Sequence, residues 1–122
     1  MTAIEKQLLL KDLSARLPYG VKGIITYNGD KDIFTLKGVF NILFLSDTEC
    51  CNIEDFKPYL RPMSSMTEEE KLMYEGLMIG TDNISYMLDV IDWLNAHHFD
   101  YRGLIEKGLA IAVTEENNPY KD

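Results

Sequence analysis

Apolar residues at the start of the chain recur about once per turn of an α-helix over residues 2–17. Thr2 and Glu5 have the spacing of a capping box, in which each side chain accepts a hydrogen bond from a backbone N–H at the helix start. Pro18 and Gly20 then stop the helix, because proline disfavours helical backbone in the residue before it. The residues on the predicted apolar face are Ile4, Leu8, Leu13 and Leu17.

Over residues 21–36 the sequence is rich in β-branched and aromatic residues interrupted by turn formers. This pattern is typical of antiparallel strands. Residues 21–27 predict the first strand, and residues 33–36 predict the strand that returns beside it. Asn28 and Gly29 stand between them, and this dipeptide readily accepts the positive φ angles of a tight hairpin. The pattern therefore predicts a β-hairpin.

A second apolar run covers residues 39–45 and is broken only by Asn41. Gly38 in front of it is typical of a bulge or kink, and the polar residues 46–49 turn the chain again. The region up to Cys51 therefore predicts a small antiparallel sheet of three or four strands, with a curled, SH3-like form as one option.

Two prolines, Pro58 and Pro62, stand four residues apart near the middle of the chain. Proline has no backbone N–H, so it suits extended backbone but pairs poorly inside a sheet. Residues 57–66 are therefore predicted to be an extended strap. The strap would join a helix and hairpin part, residues 1–56, to a helical part, residues 67–113.

The helical part is predicted to begin with a second capping box, formed by Thr67 and Glu70. This helix is predicted to extend to about Ile79. Residues 80–83 contain a glycine that ends it and polar residues that can cap the start of the next helix. The helix that follows has the clearest apolar periodicity in the chain, which predicts a buried stripe. The residues of the stripe are Ile84, Met87, Leu88, Ile91 and Leu94.

The last third of the chain predicts smaller elements. Asp100 could cap a short helix that runs through Lys107 and is ended by Gly108 in a left-handed conformation. The alternating apolar residues at 109–113 predict either a short strand or a cover for the core, and residues 114–122 predict a polar, frayed tail.

Together these elements predict a single α+β domain over residues 1–122, with an N-terminal helix, a small antiparallel sheet and two or three C-terminal helices. A chain of 122 residues, 46% hydrophobic and 26% charged, has the composition of an ordinary globular protein. It is long enough to bury one hydrophobic core without outside help, and we expect both halves to share that core.

The chain has no apolar stretch of the roughly 18 residues needed to cross a bilayer, and charged residues interrupt its first helix. We therefore expect neither a signal peptide nor a membrane anchor. Cys50 and Cys51 are adjacent, so a disulfide between them would be strained, and reduced thiols are expected. These features favour a soluble, cytoplasmic protein.

The net charge of −8 is unevenly placed. Residues 1–61 carry equal numbers of acidic and basic side chains, whereas residues 62–122 carry twelve acidic and four basic ones. An acidic surface repels phosphate and favours basic partners.

The two predicted helices around residues 80–83 have the lengths of a helix-turn-helix. The second helix contains Asp89 and Asp92 and no basic residue, so it is unsuited to phosphates and bases, and direct DNA binding is not expected. Nucleic-acid binding through residues 1–61 stays open as a further alternative.

Acidic residues on the two predicted C-terminal helices could form one continuous face that docks a basic protein surface or imitates a phosphate backbone. A simple solvated helix surface is the alternative. The acidic residues concerned are Glu68, Glu69, Glu70, Glu75, Asp82, Asp89 and Asp92. Self-association of the chain is a further option.

His97 and His98, with Asp100 nearby, are the candidates for catalysis. They would serve as acid, base or ligand in a small hydrolase or a nucleotide-modifying enzyme, which is the alternative to an interaction protein. Adjacent histidines on a helix point about 100° apart, and no His-x-x-x-His or Cys-x-x-Cys spacing adds converging ligands. We therefore expect no metal site and no cofactor.

Residues 57–70 (KPYLRPMSSMTEEE) and 92–110 (DWLNAHHFDYRGLIEKGLA) resemble small uncharacterised proteins of gut anaerobes and of their phages or prophages. Residues 13–21 fit the same group. No activity or cofactor comes with this resemblance. It implies a mobile-element context, which favours a small host-interacting or regulatory protein over a metabolic enzyme.

Overall fold

A computed structural model of the protein describes residues 1–27, 30–40, 42–46, 49–79 and 84–121. In these ranges the chain is a mixed α+β structure with three α-helices and eight short strands. The helices are α1 (Ala3–Arg16), α2 (Glu68–Met78) and α3 (Ile84–Ala96). The strands are β1 (Lys22–Tyr27), β2 (Asp30–Thr35), β3 (Gly38–Val39), β4 (Leu43–Phe44), β5 (Cys50–Cys51), β6 (Phe56–Pro62), β7 (Phe99–Asp100) and β8 (Ile111–Ala112).

Helix α1 begins at the predicted capping box. The backbone N–H of Glu5 donates to Thr2 Oγ1 at 3.1 Å, and the N–H of Thr2 donates to Glu5 Oε1 at 2.9 Å. The helix ends at Arg16 and continues into a 3₁₀ turn over Leu17–Tyr19. The prediction of an N-terminal helix is therefore confirmed.

The apolar face predicted for α1 is only partly correct. Leu13 is fully buried, but Ile4 is 79% exposed. The buried side of the helix contains Leu9, Leu13 and, unexpectedly, the ion pair of Asp12 and Arg16. Because these two charged residues point inward, the buried side is rotated away from Ile4.

Strands β1 and β2 form the predicted antiparallel hairpin, in which Ile24 pairs with Ile33. The Asn28–Gly29 turn lies outside the described residues. Strands β3, β4 and β5 form a second antiparallel group, and residues 47 and 48 of the turn predicted before β5 are also outside the described ranges. Antiparallel pairing over this part of the chain is confirmed, and an SH3-like form stays a prediction.

The segment predicted to be a strap is instead the strand at the centre of the larger sheet. Its backbone is extended as predicted, but β6 pairs antiparallel with β1 and parallel with both β7 and β8. The prediction of poor pairing was wrong because the prolines lie where a missing N–H does little harm. Pro58 is the last residue paired with β1, and Pro62 is the last residue of β6.

The third C-terminal helix predicted after Asp100 is absent from the described residues 101–121, which contain turns and β8. The Asp100 carboxylate does accept hydrogen bonds from the N–H groups of Leu104 and Ile105, both at 2.9 Å, as a cap would. Gly103 and Gly108 both have positive φ, at 75° and 74°. Gly103 therefore interrupts the helical backbone that Gly108 was predicted to end.

The polar tail was predicted to fray, but Tyr120 holds it to the sheet. The Tyr120 hydroxyl accepts a hydrogen bond from the N–H of Lys22 at 2.9 Å and donates to the carbonyl of Tyr59 at 2.7 Å. Its ring stacks on the imidazole of His98, with 3.7 Å between the ring centroids. Tyr120 therefore joins the end of the chain to β1, β6 and the residue before β7.

The described apolar interior contains two clusters, and the larger one includes residues from both halves of the chain, such as Leu13 and Leu109. The larger cluster lies between α1, the two sheets and the turn at Leu104, and the smaller one lies under α2 and α3. Buried members of the smaller cluster are Met66, Val90, Leu94 and Phe99. A buried polar network around Asp12 links α1 to this smaller cluster, because Arg16 donates a hydrogen bond to the carbonyl of Phe99.

None of the helices in the described ranges is long and apolar enough to cross a membrane.

Candidate interaction surface on the helical hairpin

Helices α2 and α3 form a hairpin, and the start of α2 is fixed by the second predicted capping box. The N–H of Glu70 donates to Thr67 Oγ1 at 3.1 Å, and the N–H of Thr67 donates to Glu70 Oε1 at 2.9 Å. Both oxygens of the same carboxylate also accept from the guanidinium of Arg61, at 2.6 and 2.8 Å. The capping box therefore anchors α2 to strand β6.

The ion pair with Arg61 removes Glu70 from the set of free acidic groups. Hydrogen bonds from Arg61 lower the pKa of the Glu70 carboxyl from 4.5 to about 2. Its side chain is only 16% exposed. Glu70 was predicted to belong to an acidic interaction face, but its carboxylate is already occupied within the protein.

The other described members of the predicted acidic face are exposed. Glu69 and Glu75 on α2, and Asp89 and Asp92 on α3, all lie at the surface. Glu68 is exposed too, although its carboxylate lies 3.6 Å from the ammonium group of Lys71. Asp82 lies outside the described residues.

The inner face of α3 packs on the rest of the protein through Val90, Trp93 and Leu94. Val90 and Leu94 are buried in the smaller apolar cluster. The indole of Trp93 lies between the rings of Tyr74 and Phe99, at centroid distances of 6.2 and 5.7 Å. The hairpin is therefore held against β7 by aromatic and aliphatic contacts.

The apolar stripe that predicted a buried face of α3 is mostly exposed. Leu94 is buried, but Ile84 is 75% exposed, Leu88 56%, Met87 48% and Ile91 38%. These four residues lie about a quarter of a turn around the helix from Val90 and Leu94. The prediction was wrong because the hairpin buries a neighbouring side of α3 and leaves this side largely exposed.

Met78, at the end of α2, faces the exposed stripe and is itself 42% exposed. A shallow cavity of about 240 Å³ lies between the helices and is lined by Met78, Met87, Val90 and Ile91. We call Met78 and the four exposed residues of α3 the apolar patch. Contiguous apolar surfaces with a polar rim are typical of sites where proteins bind one another.

The sequence contained a signal for this patch that periodicity alone did not use. Apolar residues occur on two adjacent sides of α3, the stripe itself and the set of Val90, Trp93 and Leu94. A surface helix normally has one apolar face. When apolar residues cover two sides of a helix, either both sides are buried in the protein or the exposed side is available to a second binding partner.

The structure separates the three residues predicted for catalysis. His97 stacks on Trp93 at a centroid distance of 4.4 Å, and its Nδ1 lies 2.9 Å from the Trp93 carbonyl oxygen. His98 has a φ of 63° and turns the other way, onto Tyr120. The Asp100 carboxylate is buried and bound to backbone N–H groups.

His97 and Asp100 also line different cavities. His97 lies in a cavity of about 170 Å³ with Trp93, whereas Asp100 lies in one of about 390 Å³ with Gly103. The two cavities have no lining residue in common. Burial lowers the pKa of the His98 imidazole from 6.5 to about 4, so it is neutral at pH 7, but its buried Nδ1 has no hydrogen-bond partner. His97 and Asp100 therefore do not share either of these cavities.

The two cysteines differ in burial, and the structure also shows how the possible metal ligands are distributed. Burial raises the pKa of the Cys51 thiol from 9.0 to about 11, which keeps it protonated, while Cys50 is exposed. Among the described residues, no three His, Cys, Asp or Glu side chains are grouped so that they could hold a metal ion.

Comparisons of the chain with protein-family models, with curated proteins and with solved structures gave no match.

Proposed function

We propose that this protein is a small, non-enzymatic interaction or regulatory protein that binds a basic partner through the α2–α3 hairpin. The observation that carries the proposal is the exposed apolar patch on α3 and its acidic surroundings. The resemblance of residues 57–70 and 92–110 to phage and prophage proteins favours a mobile-element context, in which the partner is a host or phage protein.

The energetics of the patch support binding. Complete burial of a side chain such as Leu, Ile or Met contributes about 1.5–3 kcal/mol. Five such side chains in one area can supply the apolar centre of an interface, since a few residues carry most of the binding energy in protein complexes. Leu88 and Ile84, the most exposed of the five, are the expected centre.

The acidic residues support the choice of partner. Glu75 precedes Met78 by one turn of α2, and Asp92 follows Leu88 by one turn of α3. A polar rim of one sign of charge steers partners of the opposite sign and disfavours partners of the same sign. The partner surface should therefore combine apolar side chains with Lys or Arg.

The experiment is affinity capture from the native host, with three forms of the protein as bait. The wild type should retain a basic protein that the double variant Ile84→Ser, Leu88→Ser loses. Ile4→Ser is the matched control, because Ile4 is as exposed as Ile84 but lies on α1. Circular dichroism would confirm that all three are folded. Retention of the same proteins by all three forms would refute the proposal.

A further inference from the structure

Between the two helices the apolar patch is hollowed into a shallow groove. Its stripe on α3 extends from Ile84 to Ile91, which corresponds to about two turns of helix or 10.5 Å. Met78 forms the opposite wall, and the cavity of about 240 Å³ lies between it and Met87, Val90 and Ile91. The cavity can receive a bulky apolar side chain from a partner.

We propose that the occupant of this groove is a single basic amphipathic α-helix, an inference that rests on the proposed function. Residues 84, 87, 88 and 91 have the i, i+3, i+4, i+7 spacing of one helical face. A partner helix with apolar residues at the same spacing can set its ridges into the grooves of α3. Two methionines, Met78 and Met87, adapt to the contour of an incoming side chain because they are unbranched and flexible.

The charge around the groove specifies the polar side of that helix. In the described parts of the hairpin, Lys71 is the one basic residue, and it lies beside Glu68. Glu75 and Asp92 are exposed and lie within one turn of Met78 and Leu88. A helix with Lys or Arg beside its apolar stripe would place opposite charges at this rim.

The same charges argue against a second copy of this chain as the occupant. A symmetric dimer through the groove would place the two patches, and therefore the two acidic rims, next to each other. Like charges brought together at an interface oppose association. An acidic helix and a nucleic-acid backbone are disfavoured for the same reason.

The test uses three synthetic peptides of equal length. The first carries Leu at i, i+3, i+4 and i+7 with Lys at the other positions, the second replaces Lys by Glu, and the third has the composition of the first in scrambled order. Binding is measured by fluorescence anisotropy, and its location by amide chemical-shift changes. We expect the first peptide to bind at least about tenfold more tightly than the other two and to shift the amides of Met78 and residues 84–91.

Variants of the protein then identify the contacts. The double variant Ile84→Ser, Leu88→Ser should weaken binding of the Leu/Lys peptide by about tenfold or more. Glu75→Lys, Asp92→Lys should weaken it several-fold and reduce its dependence on salt. The control Ile4→Ser should bind as the wild type does.

Equal binding of the scrambled or the acidic peptide would overturn the inference, as would shifts confined to other parts of the chain. A wild-type dimer in analytical ultracentrifugation that the Ile84→Ser, Leu88→Ser variant abolishes would assign the groove to a second copy and overturn it too. Failure of the Leu/Lys peptide, combined with capture of a protein that depends on Ile84 and Leu88, would refute the amphipathic helix and leave the proposed function intact.

Discussion

The Oδ2 atom of Asp12 lies 2.7 Å from Nε of Arg16, one turn later in α1, and both side chains are fully buried. The other carboxylate oxygen accepts from Nε of Arg102 at 3.0 Å. Arg16 also donates through Nη2 to the carbonyl of Phe99 at 2.6 Å. One carboxylate therefore holds two cations and, through them, joins α1 to β7 and the turn after it.

The first prediction concerns the removal of this carboxylate. Asp12→Ala leaves Arg16 buried with no counter-charge, which costs about 3–5 kcal/mol of the free energy of unfolding. Urea denaturation followed by circular dichroism measures the loss. Glu106→Gln, at an exposed acid, should stay within about 0.5 kcal/mol of the wild type. A loss below about 1 kcal/mol for Asp12→Ala would contradict a buried ionic network.

The network also explains what could and could not be predicted from the sequence. Both capping boxes were predictable because the residues in each interact across three positions of the chain. Asp12 and Arg102 are 90 positions apart, and nothing local distinguishes their side chains from solvated ones. The burial of charge on α1, and with it the rotation of that helix, depends on contacts that the local pattern does not contain.

The same limit applies to β6 and α3. The prolines of β6 disfavour a paired strand locally, yet β1, β7 and β8 all pair with that segment. The periodicity of α3 identified an amphipathic helix correctly, but it could not determine which of two apolar sides faces the protein. As a result, the acidic residues were predicted as the candidate site, while the apolar patch beside them was assigned to the core.

The second prediction concerns the close approach of Gly23 to β6. A Cβ atom at Gly23 would lie 2.2 Å from the ring of Phe56 and 2.7 Å from the Lys57 carbonyl oxygen. Phe56 is fully buried and cannot move aside freely. Gly23→Ala should therefore lower the free energy of unfolding by about 1–3 kcal/mol, measured by urea denaturation.

Gly76→Ala is the matched control for that change. Gly76 lies in α2, and a Cβ added there meets nothing within 4 Å. Because alanine favours helix over glycine, this variant should gain about 0.5–1 kcal/mol. If Gly23→Ala and Gly76→Ala changed the free energy of unfolding equally, the contact between β1 and β6 would tolerate a side chain at position 23.

The third prediction concerns acid stability at the Arg61–Glu70 pair. The pKa of Glu70 is lowered to about 2 in the folded protein. The contribution of its ionised carboxylate to the free energy of unfolding is therefore complete above pH 4.5 and is lost as the pH falls towards 2. Glu70→Gln keeps a side chain suited to the capping box but removes the charge. The variant should be about 1–3 kcal/mol less stable than the wild type at pH 6, and this difference should shrink as the pH falls from 4.5.

Urea denaturation at intervals between pH 6 and pH 3 would measure the effect. Glu69→Gln, at the exposed neighbouring position, should follow the wild type throughout. A constant difference between Glu70→Gln and the wild type at every pH would exclude the charge on Glu70 as its origin.

The last prediction uses His98, whose imidazole stacks on Tyr120. Its pKa is lowered from 6.5 to about 4, first by burial and then by electrostatic interactions with Arg16, His97, Arg61 and Lys22. The neutral imidazole therefore stabilises the fold fully above pH 6.5, and this contribution is lost as the pH falls from 6.5 to 4. The wild type should lose up to about 3 kcal/mol over that range from this group.

His98→Asn isolates the effect, because asparagine tolerates the φ of 63° but does not titrate. The variant loses the stack on Tyr120, so its free energy of unfolding at pH 7 should be lower than that of the wild type. The difference between the two free energies should become smaller as the pH falls from 6.5 to 4.5, because only the wild type loses the contribution of His98. The stability contribution of Glu70 is constant above pH 4.5 and changes only below it, so the two groups change the stability in separate pH windows. If both proteins lost the same free energy of unfolding down to pH 4.5, protonation of His98 would not destabilise the fold, and its pKa would not be lowered by burial. That result would restore His98 as a candidate acid or base, which its burial against Tyr120 argues against.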